Sequence, residues 1–434
     1  MSELSSAWFP LRYHEKQCAA WRTQARFLLL ACGRRSGKTL LAKRRVVRYL
    51  PIQKPWRDPM YFYAMPTYGQ CKRVAWDDIV ALIPPRWIAK KSESELCVRT
   101  IFGSSLWLCG LDNPARIEGS GWDGGVVDES SDIKPGAWGR SIRPALSDRN
   151  GWAWRIGVPK RFGVGAVEFR RACEEAAAGK LPDHEFYTWP SSDVLPDYEI
   201  ASAARELDAR DFAEQYGATW QEIGGRIFYA FDDVQNVTDR AQFVGGRRII
   251  VGCDFNVDPM CWVVGHAASD GLVVFDEIFM RDANTQRALD ELDRRYNQPQ
   301  PYAFGWDFIG DASSRARKTS AAMSDYMIIK NDKRFLNSRV FFPEANPPVA
   351  DRFAACNALA CNALGKRRWL VNPRCKRLRE DVRVRAYAQG TREPDDKNPD
   401  VGHMSDAVGY VIHRLWPVVI DLSGEPGAAV GGMM

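Results

Sequence analysis

No stretch of this chain approaches the roughly 20 consecutive apolar residues that a membrane-spanning helix needs. The longest apolar runs, around Phe27–Cys32 and Val411–Ile420, are short or interrupted by charge. The N-terminal MSELSSAWFPLRYHEKQ lacks the basic-then-apolar plan of a secretory signal, so a cytosolic protein is expected. CxxC pairs are missing too: the eleven cysteines stand singly, at no spacing that reads as a zinc site. In a reducing compartment such cysteines read as small buried hydrophobes. Internal repeats are absent, and the one low-complexity tract, SGEPGAAVGGMM, is expected to be a flexible tail over residues 421–434. Nor does one sign of charge dominate. Sixty Lys+Arg oppose 54 Asp+Glu for a net charge of +6, which permits a polyanionic partner without demanding one.

What remains is an ordinary globular composition, 45% apolar and 26% charged over 434 residues, enough for two or three domains. The sixteen tryptophans are mostly core candidates. The first half alternates short β-rich runs with helical patterns: RFLLLAC, GKTLLAKRRVVRYL, MYFYAMPTY, QCKRVAWDDIVALI, GGVVDE. Strand and helix repeating in this way predict an α/β domain with a mainly parallel sheet, placed over residues 1–225. A polar, helical region (EFRRACEEAAAGK, then IASAARELDARDFAEQYGATW) closes that half. Glycine pairs bracket RIFYAFDDVQNVTDRAQFV, which has no helical period, and the joint is therefore placed at 226–245. A second domain over 246–420 opens with three strand-like runs, RRIIVGCDFNVDP, MCWVVGHAASDG and LVVFDEIFM, separated by turn signals. A helix (NTQRALDELDRRYN), a strand (PYAFGWDFIGD) and a last helix (SDAVGYVIHRLW) complete it.

The strongest local signal is Cys32-Gly33-Arg34-Arg35-Ser36-Gly37-Lys38-Thr39, directly after an apolar strand and before a helix. A phosphate-binding loop needs glycines so that backbone N–H groups can turn onto the phosphates. It also needs a Lys for the β- and γ-phosphates and a Ser/Thr hydroxyl for Mg²⁺. Gly37, Lys38 and Thr39 meet that need, whereas Cys32 stands where the strict pattern has its first glycine and Gly33 follows one place later. Downstream, GGVV runs into Asp128 and Glu129. Asp128 would hold Mg²⁺ through water, and Glu129 would orient and activate the attacking water. Gln17 is placed to read an adenine edge with a donor and an acceptor. Arg34 and Arg35 are candidates for a cis arginine that stabilises charge moving onto the phosphates, and Arg99 and Arg116 for one acting in trans.

A second constellation lies beyond residue 246. Asp254 ends an apolar strand, where an unpaired carboxylate is costly to bury. Asp311 ends another strand, and Asp406 opens the last helix. Three acids from two strands and a helix suit oxygen ligation of two Mg²⁺ or Mn²⁺ ions about 4 Å apart, which would activate water and stabilise the leaving 3′ oxygen of a cut DNA strand. Asp258, Asp276 and Glu277 are weaker accessory candidates. The densest basic stretch, Lys366-Arg367-Arg368 through Arg374, Lys376, Arg377, Arg379, Arg383 and Arg385, lies between the second and third acids with Trp369 interleaved. It reads as a groove for phosphates.

Taken in order, Gln17, CGRRSGKT, Met65-Pro66-Thr67-Tyr68-Gly69-Gln70, GGVVDES and Ile156-Gly157-Val158-Pro159-Lys160 resemble the motifs of the large terminase subunits of tailed bacteriophages. The last of these is similar to the family's coupling segment, with Val158 where Thr or Ser is usual. The resemblance covers nearly the whole chain. It implies an N-terminal P-loop ATPase and a C-terminal RNase H-like nuclease, with Asp254, Asp311 and Asp406 as nuclease ligands. It also implies ATP and Mg²⁺ or Mn²⁺ as cofactors, and double-stranded DNA, a portal protein and a small terminase subunit as partners. A homo-oligomeric ring on the portal, in the host cytoplasm, belongs to the same expectation. The alternative is a helicase or repair-type ATPase with an appended nuclease, which would carry paired arginines in a second RecA-like domain.

Overall fold

The computed structural model describes residues 14–222, 225–256, 258–268, 270–297, 305–315, 323–335, 337–388, 391 and 393–418. The tail expected over 421–434 lies outside the described residues. The chain divides into two compact units, residues 1–201 with 212–222, and residues 202–211 with 223–434.

The first unit is built on eight strands: β1 (Phe27–Ala31), β2 (Met60–Met65), β3 (Ile88–Ser92), β4 (Cys97–Thr100), β5 (Ser105–Gly110), β6 (Gly124–Val127), β7 (Trp152–Gly157) and β8 (His184–Tyr187). They form one sheet in the order β3-β4-β5-β2-β6-β7-β1-β8. Every pairing from β5 to β8 is parallel, and only the β3-β4-β5 edge is antiparallel. A parallel sheet must be covered on both faces, and β1 shows how. Leu28 and Leu30 join the core that holds Leu41, Val46 and Val47 of the helix Lys38–Tyr49. Leu29 and Ala31, on the other face, meet Phe169 and Cys173 of the helix Ala166–Ala177. Pattern reading found β1, β2 and β6. It assigned nothing to the β3–β5 edge and placed β8 inside a region read as helical, because β8 is short and half-buried throughout.

The second unit has six strands: β9 (Arg248–Asp254), β10 (Met260–Ala268), β11 (Gly271–Met280), β12 (Gly305–Gly310), β13 (Arg339–Phe341) and β14 (Trp369–Val371). Their order is β13-β12-β9-β10-β11-β14. The expected three-strand meander is β9-β10-β11, antiparallel throughout, while β12 runs parallel to β9. Side chains alternate faces along a strand. Ile250, Val263, Leu272 and Val274 accordingly face the helices Val349–Ala360, Lys376–Val384 and His403–Leu415. Ile249, Val251, Cys253, Trp262 and Phe275 face the helix Thr285–Tyr296.

The expected joint at 226–245 is not a linker. Ile227, Phe228 and Phe231 are buried in the second core, and Asn236 bonds the carbonyls of Ala360 and Trp369. Gly225 lies in a bend and Gly245 and Gly246 in a turn, but the apolar residues between them gain far more by burial than a solvated linker would.

Gly252 of β9 decides how the last helix sits. A Cβ there would stand 2.4 Å from the carbonyl oxygen of Ala407 and 2.7 Å from the Val411 side chain. Only a glycine lets the helix His403–Leu415 lie this close to the sheet, and Asp406 is carried in with it. Gly252→Ala is expected to destabilise the second unit by about 1–3 kcal/mol through overpacking. Urea unfolding followed by fluorescence measures this, and an unchanged midpoint would contradict the seating described.

Candidate active sites

In the first unit the loop after β1 is shaped by its neighbours. Cys32 continues the strand: its N–H bonds the Gly157 carbonyl, and burial pushes its thiol up to about 12. The turn starts at Gly33, where a Cβ would meet Ser191 Oγ at 2.4 Å and the Tyr216 carbonyl at 2.8 Å. The one-residue departure from the strict motif thus leaves the loop intact, because the position that must be glycine is Gly33. Gly37 has φ 83°, which a side chain would strain. It sits at the N-terminus of the helix Lys38–Tyr49, whose free N–H groups and dipole favour an anion. Gln17 donates to the Ser36 carbonyl at 2.9 Å, and Trp189 Nε1 donates to the same oxygen at 3.0 Å, bracing the loop from behind. Lys38 is 5% exposed and its Nζ donates to the Gly33 carbonyl, so its charge is folded back over the loop. The Ser36 hydroxyl is buried with no hydrogen-bond partner, Thr39 is half-buried in the helix's first turn, and Arg35 is exposed with φ 54°.

Strand β6 lies two places from β1 and delivers the two acids. Asp128 is buried and accepts from the Tyr63 hydroxyl at 2.6 Å and from the Glu129 N–H at 2.8 Å. Glu129 adopts φ 50°, an uncommon backbone for a residue with a side chain, of the kind that concentrates at functional sites. The two carboxyls are pushed apart. Burial, then the charge of Glu129, raises Asp128. Burial also raises Glu129, but Lys160, Lys38 and Arg34 together outweigh it and hold this carboxyl below its ordinary value. Of the two, Glu129 is the carboxyl whose charged form its surroundings favour. Of the two loop arginines, the one whose charge acts on Glu129 is Arg34.

Lys160, named in the sequence only as part of a segment, stands 3.7 Å from Glu129 Oε2 and pairs with Asp132. The Ser131 hydroxyl donates to the Val158 carbonyl at 2.6 Å. The segment expected to couple to the site thus reaches it through Lys160 and a main-chain oxygen. Neither contact uses the side chain at 158, so Val in place of Thr or Ser leaves them in place.

In the second unit Asp254 and Asp311 leave neighbouring parallel strands at the same end, since Cys253 is in register with Gly310. Both are buried, at 8% and 7% exposure. Asp254 Oδ2 takes Asn256 Nδ2 at 2.8 Å and lies 2.9 Å from His403 Nδ1. One oxygen of Asp311 is buried without a hydrogen-bond partner. Burial raises the Asp254 carboxyl; His403 lowers it, and Asp406 and Asp311 raise it further. Asp254 thus senses the charge of both other acids proposed from the sequence.

Asp406 differs from expectation in its partners. It pairs with Arg385 at 2.8 Å and Arg352 at 3.1 Å, and among the described residues no group of three His, Cys, Asp or Glu is arranged to hold a metal. It does not cap its helix either. Asp381 of the helix Lys376–Val384 does so, accepting from the Gly402 and Ser405 N–H groups at 2.8 and 2.9 Å. An orphaned Asp311 oxygen beside a buried Asp254 fits a hard divalent cation, which oxygen ligands favour.

The accessory candidates have other work. Asp258 is paired with Arg281 at the surface. Glu277 accepts from the Arg377 and Leu378 N–H groups, both at 2.9 Å, and so caps the helix Lys376–Val384. Asp276 is in register with Val264 on the face opposite the last helix, bound to the Tyr296 hydroxyl and Arg295. The basic stretch is not one solvated face. Trp369 is core; Arg367 bonds the Ala230 carbonyl and Asn236, and Arg385 is buried on Asp406. Lys366, paired with Asp270, and Arg374, Lys376, Arg377 and Arg383 are the exposed cations. The partners Lys160, Asp381, Arg352 and Arg385 had no sequence signal of their own. Asp381 and Arg385, four residues apart, were hidden inside that run of charge.

No family model matches the chain. Among curated proteins it is 28% identical to the large terminase subunit of Thermus phage G20c over 132 residues, which are 28% of this chain and 27% of that protein. The chain therefore aligns with only about a quarter of that relative's length. Among solved structures it resembles the large terminase of a thermophilic bacteriophage, with a TM-score of 0.56 at 16% identity over 93% of this chain and 99% of that one. The same terminase in complex with ATP-gamma-S gives a TM-score of 0.54 at 16% identity over 92% of this chain and 98% of that one. At such identity the likeness carries the fold, and it does so across both units.

Proposed function

We propose that this chain, which has the fold of the phage large terminases, is a viral genome-packaging motor whose first unit hydrolyses ATP and whose second unit cuts DNA. The observation that carries the reading is the pairing of two distinct acid sites on two distinct sheets. One is a Lys38 loop facing Asp128 and Glu129; the other is Asp254 and Asp311 at the ends of adjacent parallel strands, with Asp406 beside them. A helicase would need a second mainly parallel, RecA-like sheet. The second sheet here instead has an antiparallel β9-β10-β11 meander with β12 parallel to β9, and the helicase alternative loses its support.

In the first unit, the loop N–H groups and Lys38 bind the phosphates, Thr39 and Asp128 are the residues to hold Mg²⁺, and Glu129 takes the proton of the attacking water. Arg34, or Arg35 on movement of the loop, adds positive charge at the transferred phosphoryl group. Gln17 orients the loop from its far side. In the second unit Asp254, Asp311 and Asp406 are the residues to hold divalent metal. Metal bound there supplies charge neutralisation and an activated water for phosphodiester cleavage. Double-stranded DNA is the substrate under this reading, and a portal protein and a small terminase subunit are the partners of a ring assembled in the host cytoplasm. Among the described residues no helix is long and apolar enough to cross a membrane.

Lys38→Ala and Glu129→Ala should each lower ATP turnover by about a hundredfold or more, since each removes charge or proton transfer needed in the transition state. Steady-state phosphate release measures this. A Glu129→Ala protein keeping more than about a tenth of the parent rate would remove Glu129 from the mechanism.

Asp254→Asn, Asp311→Asn and Asp406→Asn should each abolish Mg²⁺- or Mn²⁺-dependent cleavage of plasmid DNA with the fold intact by circular dichroism. Pairs of these changes should cost little more than single ones, because groups acting as a unit are non-additive. Asp276→Asn, on the other face of the sheet, should retain activity. Near-parent nicking by Asp406→Asn would exclude the third acid.

If the exposed cations of the helix Lys376–Val384 track phosphates, replacing Lys376, Arg377 and Arg383 by Ala should weaken DNA binding whatever the sequence. The slope of log affinity against log salt should fall by nearly one unit per lost contact. An unchanged slope would assign these residues to solvent.

A further inference from the structure

We propose that Arg352 is a built-in counter-cation that competes with divalent metal for Asp406 and thereby sets the metal concentration at which the second unit becomes active. The proposal rests on the nuclease reading of that unit and gives the site its regulation.

Two guanidinium groups meet one carboxylate, and they are held differently. Arg385 is fixed by four hydrogen bonds, although its Nε has no partner. Its Nη1 donates to the Gly402 carbonyl at 2.9 Å, the Ser405 hydroxyl at 2.7 Å and Asp406 Oδ1 at 2.8 Å, and its Nη2 donates to Asp406 Oδ2 at 3.2 Å. It ties Asp406 to the first turn of its own helix. Asp381, in the last turn of the helix that ends just before Arg385, caps that first turn. The pair is a fixed scaffold.

Arg352 comes from the helix Val349–Ala360. Its side chain is 6% exposed, its nearest approach to Asp406 Oδ1 is 3.1 Å, and its guanidinium lies 4.5 Å from the centre of the Tyr410 ring. Its Nε is buried without a hydrogen-bond partner, and its Nη1 has the ion pair with Asp406 but no hydrogen bond of good geometry. Burying a guanidinium with unpaired N–H groups is unfavourable unless its charge is needed. Asp406 alone does not need it, because Arg385 already satisfies both of its oxygens. The acid cluster does. Asp254 and Asp311 are buried, Asp406 is half-buried, and the charges of Asp311 and Asp406 both act on Asp254. Two arginines offset two of the three carboxylate charges, the same charge that one divalent ion brings. Arg352 is the member of that pair held by charge and ring stacking and not by a hydrogen-bond network, and it is the one able to yield its place.

The sign follows directly. A positive charge at Asp406 repels a divalent cation and occupies one of its ligands, so removing it must tighten metal binding. The test uses the full chain without nucleotide and Mn²⁺ alone as probe. Binding is read from the loss of the free-ion electron paramagnetic resonance signal, and Asp254→Asn defines which binding belongs to this site. Arg352→Gln is expected to bind Mn²⁺ about tenfold tighter or more. The Mn²⁺ concentration for half-maximal plasmid cleavage should fall in parallel. Arg352→Lys keeps the charge and should stay within about threefold of the parent, which a merely structural role for Arg352 would not predict. Unchanged or weaker Mn²⁺ binding by Arg352→Gln overturns the proposal while leaving the nuclease reading in place. Absence of any Asp254-dependent Mn²⁺ binding in the parent overturns both. A crystal structure of the unsubstituted chain with Mn²⁺ needs no variant. It should show Arg352 withdrawn from Asp406, and a retained contact near 3.1 Å with the ion in place refutes competition.

Discussion

Carboxylates buried beside one another are the constraint on which both units depend. A lone buried carboxylate is costly, and two or three together repel unless counter-charge is built in. In the first unit Lys38, Lys160 and Arg34 supply it, and they supply it unevenly. The Glu129 carboxyl is held below its ordinary value while that of Asp128, bonded to Tyr63, is raised. In the second unit Arg385 and Arg352 supply it at Asp406, and His403 does so at Asp254. Each acid pair is thus split into members with different environments, which is how one fold assigns different roles to chemically similar groups.

The backbone is fitted to that constraint. Glycine appears where chain must approach chain: Gly33 under Ser191 and Tyr216, Gly252 under the last helix. A side chain at either place would displace a candidate site residue, the loop after β1 in one case and Asp406 in the other. The parallel pairing of β9 with β12 does the same for Asp254 and Asp311. Parallel strands end together, so two acids distant in sequence arrive at one edge of the sheet with no loop to position them.

Much of this was legible in the residues. The P-loop, the DE pair and the three later acids carry chemistry that few other residue types can perform. Strands β1, β6 and β9, which lead to the loop, the DE pair and Asp254, are near-continuous apolar runs, which is what a strand buried on both faces requires. The errors have physical reasons as well. The segment 226–245 looked like a joint because turn-forming glycines flank it, yet three apolar residues draw it into the second core. Asp406 was placed at the start of the last helix, but the groups that cap that helix come from Asp381. Arg367, Arg385 and Trp369 looked like part of a basic, aromatic face, and each is committed to the interior or to a carbonyl.

The sequence by itself determined which chemistry the chain can hold, because residue type and short-range order decide donors, acceptors and charge, and because hydrophobic period decides strand or helix. What only the tertiary structure decided is which charges face each other. Lys160 reaches Glu129 across a gap of 31 residues, and Arg352 reaches Asp406 across 54. No local pattern marks such pairs, since a lysine or arginine obeys the same helix and strand propensities whether its charge meets water or a buried carboxylate. Pairing of that kind is set by how helices seat on a sheet, and the seating depends on side-chain volumes contributed from the whole unit.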